Sequence, residues 1–142
     1  RSYRVHGKGT DKYDNVRIGV NSRLDTIQAA ILLEKLAVFP QELINRNKAA
    51  DNYKENLPSH LVTPDVPEGY VSSWAQYTVR SEQREQDMKA YQEQGIPTMV
   101  YYRTCMHQQT AFSHLGYQVG DFPVAEKLSK QVYSLPIHGY MK

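Results

Sequence analysis

Gly19-Val20-Asn21-Ser22-Arg23-Leu24-Asp25-Thr26-Ile27-Gln28-Ala29-Ala30-Ile31-Leu32-Leu33-Glu34-Lys35-Leu36 decides how the rest of the chain is read. Gly19 permits a backbone path that a side chain would obstruct. Ser22 followed three residues later by Asp25 reads as a capping box, which predicts a helix starting near Leu24. From Ile27 to Leu36 only Gln28, Glu34 and Lys35 are polar. A helix so apolar around its circumference is expected to be buried between layers or against a partner chain. Its entrance has another character. Asn21, Ser22 and Arg23 are expected where unpaired backbone N–H groups and the positive end of the helix dipole favour an anion such as phosphate or carboxylate.

Outward from this stretch, residues 1–18 read as irregular, with Gly7-Lys8-Gly9-Thr10 as a breaker. The helix from Leu24 is expected to run to about Phe39, and Pro40 suits the first turn of a second helix. That second helix continues through Leu43, Ile44, Ala50, Tyr53 and Leu57 to Pro58. Beyond it the period shortens. Leu61–Thr63 and Trp74–Arg80 are strand candidates, and Ser81 can cap a charged helix over 82–94 with Met88 and Tyr91 on its inner face. Gly95 ends that helix, and Ile96–Tyr102 reads as another strand. Residues 103–120 are mostly loop, with one helical turn near Gln109–Phe112. A short helix over 122–131 begins with Pro123, and Val132–His138 is a last strand held to a sheet edge by Pro136. Two long helices followed by a small, mainly antiparallel sheet with flanking helices make an α/β chain. It divides into an interface segment over 1–57 and a small α/β domain over 58–142.

At 142 residues, with 40% apolar and 23% charged residues, the chain has the composition of a soluble globular protein with a modest core. No apolar run reaches the length of a membrane span, and no signal peptide precedes the first residues. The single cysteine, Cys105, excludes an internal disulfide and fits a reducing cytoplasm. The chain opens at Arg1 without Met, which reads as a fragment.

The net charge of +2 is unevenly placed. Residues 1–23 carry Arg1, Arg4, Lys8, Lys12, Arg17 and Arg23 against Asp11 and Asp14, a balance of +4; the remainder balances at −2. No recognition-helix or base-stacking motif accompanies these bases, so a small polyanion suits them better than nucleic acid.

The sequence contains no Walker loop, dinucleotide glycine fingerprint, nucleophile elbow or metal-ligand spacing. Cys105 and His107 lack a third group that would make them a nucleophile and base. Two candidate sites survive. Asn21 with Arg23 offers an amide donor and a planar fork for anionic oxygens, although a plain cap beside a solvated arginine uses the same residues. Tyr101-Tyr102-Arg103, running to His107, places phenols, a guanidinium and an imidazole at a strand end, where they hold a polar substrate or simply pack a rim.

The run Gly19-x-Asn21-Ser22-Arg23-Leu24-Asp25-Thr26-Ile27-Gln28-Ala29-Ala30 resembles the DegT/StrS-type sugar aminotransferases, pyridoxal-phosphate enzymes that make amino sugars. The likeness extends through His6-Gly7, Tyr13, Arg46, Tyr53, Trp74-Ala75-Gln76-Tyr77 and Gly95-Ile96-Pro97-Thr98. It continues through Phe122-Pro123-Val124-Ala125-Glu126 to Leu135-Pro136-Ile137-His138, and so covers nearly the whole chain. Within the family the chain looks most similar to enzymes acting on UDP-linked acetamido sugars or their uronates.

The resemblance implies the C-terminal part of a fold-type I aminotransferase, a cytoplasmic homodimer with shared active sites. Such an enzyme moves an amino group from glutamate to a keto nucleotide-sugar in bacterial polysaccharide biosynthesis. It implies cofactor contacts from Asn21, reaching the partner's pyridoxal phosphate, and from Tyr101. Substrate contacts are expected from Arg23 and Tyr102, and His107 is expected to join them from its place in the residue cluster alone. No catalytic residue and no metal ligand is expected in this chain. The Schiff-base lysine, the Asp that pairs with the pyridine nitrogen and the main glycine turns lie upstream in the family, and Lys8 and Lys12 do not match the lysine motif. The chain alone is therefore expected to be inactive. It departs from the family pattern at Arg103 and Cys105, where prolines are common, and at Tyr101, where histidine is frequent; it also ends at Lys142, before the closing helix. A stand-alone module docking through the apolar helix over 24–39 is the alternative.

Overall fold

The computed structural model describes residues 2–11 and 13–141. Arg1 and Lys12, two of the six bases of the first segment, and Lys142 lie outside the described residues. The chain forms two compact units, Arg1–Pro40 and Gln41–Lys142.

In the first unit the chain doubles back on itself without forming a regular strand. The Val20 N–H donates to the Tyr3 carbonyl at 2.7 Å, the His6 N–H to Val20 at 3.1 Å and the Ser22 N–H to Arg4 at 2.9 Å. These bonds make an isolated antiparallel bridge between Val5 and Asn21. Gly19 is required here for proximity: a Cβ at that position would stand 2.2 Å from the Gly7 nitrogen and 2.6 Å from the Tyr3 carbonyl oxygen. Arg17 lies over the Tyr3 ring, 5.2 Å from its centroid.

Helix α1 spans Thr26–Asn56. It starts two residues later than the capping-box reading predicts. The Asp25 carbonyl accepts the N–H of Ala29 at 2.8 Å, so the helix is entered through Asp25, and the Ser22 hydroxyl makes no hydrogen bond to it among the described residues. The two helices expected on either side of Pro40 are one continuous helix with Pro40 inside. An interior proline removes one backbone bond at a cost of about 3 kcal/mol, which a helix of 31 residues with a packed C-terminal half can absorb. The apolar run is not covered by this chain: Ile27 is 77% exposed, and Ile31, Leu32, Leu33 and Leu36 are all more than half exposed.

The second unit is built on two short strands. β1 (Tyr77–Arg80) pairs antiparallel with β2 (Val132–Leu135), with Tyr77 opposite Leu135 and Val79 opposite Tyr133. Single-residue bridges extend the sheet on both sides, Val62 to Arg80 and Met99 to Ser134. The alternation predicted for these segments is real but brief. The strand predicted from Trp74 begins only at Tyr77 because Trp74 itself has φ of 48°, a left-handed backbone that cannot continue a ladder. The last strand ends at Leu135 because Pro136 has no N–H to donate.

Tyr77, Val79, Tyr133 and Leu135 from the strands, Ala50 from α1, Leu61 and Trp74 form the core. Tyr53 and Tyr77 rings lie 4.9 Å apart, and Trp74 and Tyr77 rings 5.3 Å. Helix α2 (Arg84–Glu93) packs Met88 and Tyr91 against this core, as its sequence pattern predicts. It ends where Gly95, with φ of 74°, lets the Ile96 N–H turn back to the Tyr91 carbonyl at 2.9 Å. Two tight 3-10 turns, Met106–Gln108 and Thr110–Leu115, occupy the segment predicted as loop. Helix α3 (Pro123–Gln131) opens on its proline. Helices flanking a small antiparallel sheet are the α/β arrangement expected. No helix among the described residues is long and apolar enough to cross a membrane.

Candidate functional site

Asn21 and Arg23 sit on the extended lead-in to α1, not in its first turn, because the helix begins only at Thr26. Asn21 is fixed through its backbone by the bridge to Val5. The Arg23 Nε donates to Asn21 Oδ1 at 3.1 Å, and both residues are exposed. The pairing leaves the Asn21 amide N–H groups and the outer edge of the guanidinium without a partner among the described residues. Two neighbouring side chains thus present N–H donors outward with positive charge, a donor set suited to phosphate oxygens.

In the second unit, Tyr101 and Tyr102 leave the sheet just after the Met99 bridge. Tyr101 is 44% and Tyr102 74% exposed, with ring centroids 6.0 Å apart and edge to face. Tyr101 lines a cavity of about 320 Å³ with Gln76, Pro97, Thr98, Leu135 and Ile137. Arg103 donates from Nη1 to Glu85 Oε1 at 3.2 Å. The same oxygen accepts from Arg84 Nη2 at 2.8 Å, and Arg84 and Arg103 together hold the Glu85 carboxyl below its ordinary range, Arg84 contributing most. Arg103 is thereby turned toward α2.

His107 is not grouped with the tyrosines. Its side chain is only 8% exposed, and Nε2 lies 3.0 Å from Glu126 Oε1, on a carboxylate that is itself 11% exposed. A carboxylate can only accept, so Nε2 carries the proton. Glu126 also receives the Gly120 N–H at 2.8 and 3.0 Å and the Phe122 N–H at 3.4 Å. Its carboxyl is held below the usual value of 4.5, first by the Gly120 N–H and then by Phe122 and His107, against the opposing effect of burial. The His107 ring packs on Phe122 at 4.8 Å and forms part of the wall of an apolar cavity of about 460 Å³, with Cys105, Phe112, Leu115 and Tyr117. Cys105 is half-buried on that wall, and His107 directs its Nε2 to Glu126. No cluster of three potential metal-ligating side chains occurs among the described residues.

The sequence model of the DegT/DnrJ/EryC1/StrS aminotransferase family matches residues 1–142. The chain belongs to this family. It is 40% identical over 137 residues to a Pseudomonas aeruginosa protein named UDP-2-acetamido-2-deoxy-3-oxo-D-glucuronate aminotransferase, covering 96% of this chain and 37% of that relative. Among solved structures, a DegT/DnrJ/EryC1/StrS aminotransferase from Brucella abortus superposes with a TM-score of 0.90 at 47% identity, over 99% of this chain and 38% of that one. The S. venezuelae DesV structure, solved in complex with a ketimine intermediate, superposes with a TM-score of 0.91 at 30% identity, over 100% of this chain and 38% of that one. The chain thus spans only 37% of the Pseudomonas relative's length and 38% of the Brucella structure's. A stand-alone docking module built on residues 24–39 gains no support from these matches.

The contacts made by three residues that shape this unit could not be read from the sequence. Glu126 is visible only as an acid in the first turn of a Pro-initiated helix, which by itself marks a helix start. Periodicity puts Arg46 on the solvated face of its helix and says nothing of Asn47. Yet Arg46 Nη1 donates to the Trp74 carbonyl at 3.3 Å, and Asn47 Oδ1 accepts the Trp74 indole N–H at 3.0 Å. Together they pin the turn that presents Gln76 to the cavity beside Tyr101.

Proposed function

We infer that the full-length protein is a pyridoxal-phosphate-dependent aminotransferase that moves an amino group from glutamate to the keto carbon of a UDP-linked acetamido sugar or its uronate. In this reading it works as a cytoplasmic homodimer with shared active sites, in bacterial polysaccharide, including lipopolysaccharide, biosynthesis. The observation that carries the reading is the family match across residues 1–142, joined to an exposed Asn21–Arg23 pair whose N–H groups and positive charge suit an anion.

The donor set fits the cofactor and the substrate. The Asn21 amide would donate to a phosphate oxygen of pyridoxal phosphate held by the partner subunit, and the Arg23 fork to the anionic part of the partner's nucleotide sugar. Tyr101 would border the cofactor, and Tyr102 would meet the sugar through its phenol. His107 would contribute indirectly, since its ring is spent on Glu126. Pyridoxal phosphate supplies the electron sink for moving the amino group. The lysine that binds it is proposed to lie upstream, so this chain alone is proposed to be inactive. The apolar surface of Ile27, Ile31 and Leu36 would then be covered by the rest of the protein and its partner.

The test uses the full-length protein with pyridoxal phosphate, glutamate and UDP-2-acetamido-2-deoxy-3-oxo-D-glucuronate. Arg23→Ala is expected to raise the KM of the nucleotide sugar by about 10- to 100-fold, the loss of a charged hydrogen bond of roughly 1.5–3 kcal/mol. The amino-acid half of turnover should stay within about twofold of wild type, since glutamate carries no nucleotide. Unchanged sugar KM in Arg23→Ala, or turnover by residues 1–142 alone, would refute the assignment.

A further inference from the structure

Among the described residues, the segment from Val100 to Gln108 is tied to the rest of its unit by two polar links. One is Arg103 to Glu85, where both side chains are more than half exposed and solvent competes with the contact. The other is His107 to Glu126, sheltered from solvent on both sides. The remaining hydrogen bonds of the segment are local, Gln108 N–H to the Cys105 carbonyl, and Gln109 N–H and Nε2 to the Met106 carbonyl and sulfur. Upstream the segment is anchored at the Met99–Ser134 bridge, with N–H to carbonyl distances of 3.1 and 2.7 Å. Tyr101 and Tyr102 therefore hang between a sheet bridge and a single sheltered latch.

The latch is more than one contact. The Glu126 carboxylate gathers the Gly120 and Phe122 N–H groups as well as the His107 imidazole, so the turn before α3 and the first 3-10 turn close on the same two oxygens. Phe122, whose backbone is held there, stacks on His107 at 4.8 Å and on Tyr117 at 5.1 Å. Removing the carboxylate releases all three donors at once and, among the described residues, takes away the only sheltered polar tie on the downstream side of Tyr102.

We propose that Glu126 is a positioning residue: acting through His107, it fixes the 101–108 loop and so sets where the Tyr102 phenol meets the sugar substrate. The proposal rests on the reading above that Tyr102 is a substrate contact. Glu126 itself reaches neither Tyr101 nor Tyr102 by any hydrogen bond, so its effect on substrate must travel through the loop.

The test compares the full-length holoenzyme with Glu126→Gln, His107→Gln and Tyr102→Ala. Glu126→Gln keeps the shape but loses one acceptor oxygen and the charge. It is expected to raise the KM of UDP-2-acetamido-2-deoxy-3-oxo-D-glucuronate by about tenfold, since displacing a binding group by about 1 Å can cost up to 100-fold. The glutamate half of turnover should stay within about twofold, which a general loss of folding would not spare. Amide hydrogen exchange over residues 101–108 should accelerate by about tenfold while β1 and β2 stay protected, a local opening that needs no substrate to observe. His107→Gln, which retains an N–H donor for Glu126, should recover most of the wild-type KM and protection. If Glu126→Gln does not fold, His107→Ala takes its place, with the same two readouts expected.

Unchanged exchange over 101–108 in the Glu126 variant, or in His107→Ala where that stands in, overturns the latch. So does a variant that opens the loop and leaves the sugar KM unchanged while Tyr102→Ala raises it. If Tyr102→Ala leaves the sugar KM unchanged, the assignment of Tyr102 to the substrate fails and takes with it the last step of this proposal. Loop opening in the Glu126 variant would then stand as a purely structural effect.

Discussion

Replacing Asn47 by alanine removes the clamp on the one backbone turn that, among the described residues of the second unit, a non-glycine residue holds in the left-handed region. Asn47 Oδ1 accepts the indole N–H of Trp74 at 3.0 Å, while Nδ2 donates to the Ser72 carbonyl at 3.2 Å and to Leu43 at 2.8 Å. Trp74 is buried with φ of 48°, and the rings of Tyr77 and Tyr53 stack in sequence beneath it. In Asn47→Ala the indole N–H is left buried and unpaired, a cost of about 1–3 kcal/mol. The lost bond to Ser72 adds about 1 kcal/mol. Alanine's better helix propensity returns roughly 0.5 kcal/mol on α1. The expected destabilisation is about 1.5–3.5 kcal/mol, a shift of the denaturant midpoint with no change of slope. Trp74 is the single tryptophan, so intrinsic fluorescence reports this turn alone. Its emission should move to longer wavelength in the native baseline as the ring loosens. Asn52→Ala, an exposed position on the same helix, serves as the control and should fall within about 0.5 kcal/mol of wild type. A midpoint change in Asn47→Ala no larger than that control, with unshifted emission, would refute the view that this side chain holds the turn.

Two further outcomes follow from contacts at other places. Gly19→Ala forces a Cβ to 2.2 Å from the Gly7 nitrogen and 2.6 Å from the Tyr3 carbonyl oxygen, both backbone atoms, so the 2–22 segment must open. A loss of about 1–3 kcal/mol is expected, read by hydrogen exchange at Val20 and Ser22 whose N–H groups close that segment. For acid, the Glu126 carboxyl is depressed below 4.5 by the Gly120 N–H first, then by Phe122 and His107. A depressed folded value contributes stability that is complete above the unfolded pKa and disappears as pH falls through the folded one. Stability should therefore decline from about pH 5 downward, and Glu126→Gln should flatten that decline in urea unfolding measured at successive pH values.

The elements were legible in the sequence where local chemistry and packing agree. The Pro123 start of α3, the Gly95 stop of α2 and the inner face of Met88 and Tyr91 all follow from rules that act within one turn of helix. The reading failed where a distant contact overrode a local signal. Pro40 looks like a helix start and lies inside a helix, because the half of α1 beyond it is packed on the core through Ala50, Tyr53 and Leu57 and one lost bond does not outweigh that packing. Trp74-Ala75-Gln76 alternates like a strand, yet Asn47, 27 residues earlier, fixes Trp74 in a backbone conformation no strand uses. The cap expected from Ser22 is absent because its N–H is already taken by Arg4 across the first unit, which pulls the chain away from the helix axis until Asp25.

The candidate site shows the same division more sharply. What Asn21 and Arg23 offer, exposed N–H donors two residues apart, belongs to their own side chains and survives whatever the helix start does. His107 was read as one of a polar group with Tyr101 and Tyr102, since nearness in sequence was the sole guide. Its partner is 19 residues downstream, and the bond to it is made of a proton on Nε2 and a carboxylate that collects two backbone N–H groups besides. No pattern in the sequence announces that meeting, because the chain between them, two 3-10 turns and a tight turn, has no period to extrapolate. The consequence for function is physical. A side chain that binds substrate can be guessed from its own chemistry, whereas one that holds the binder in place is defined by where the chain brings it. Glu126 belongs to the second kind, and its effect is to be sought in the motion of residues 101–108 before any change in the chemistry they serve.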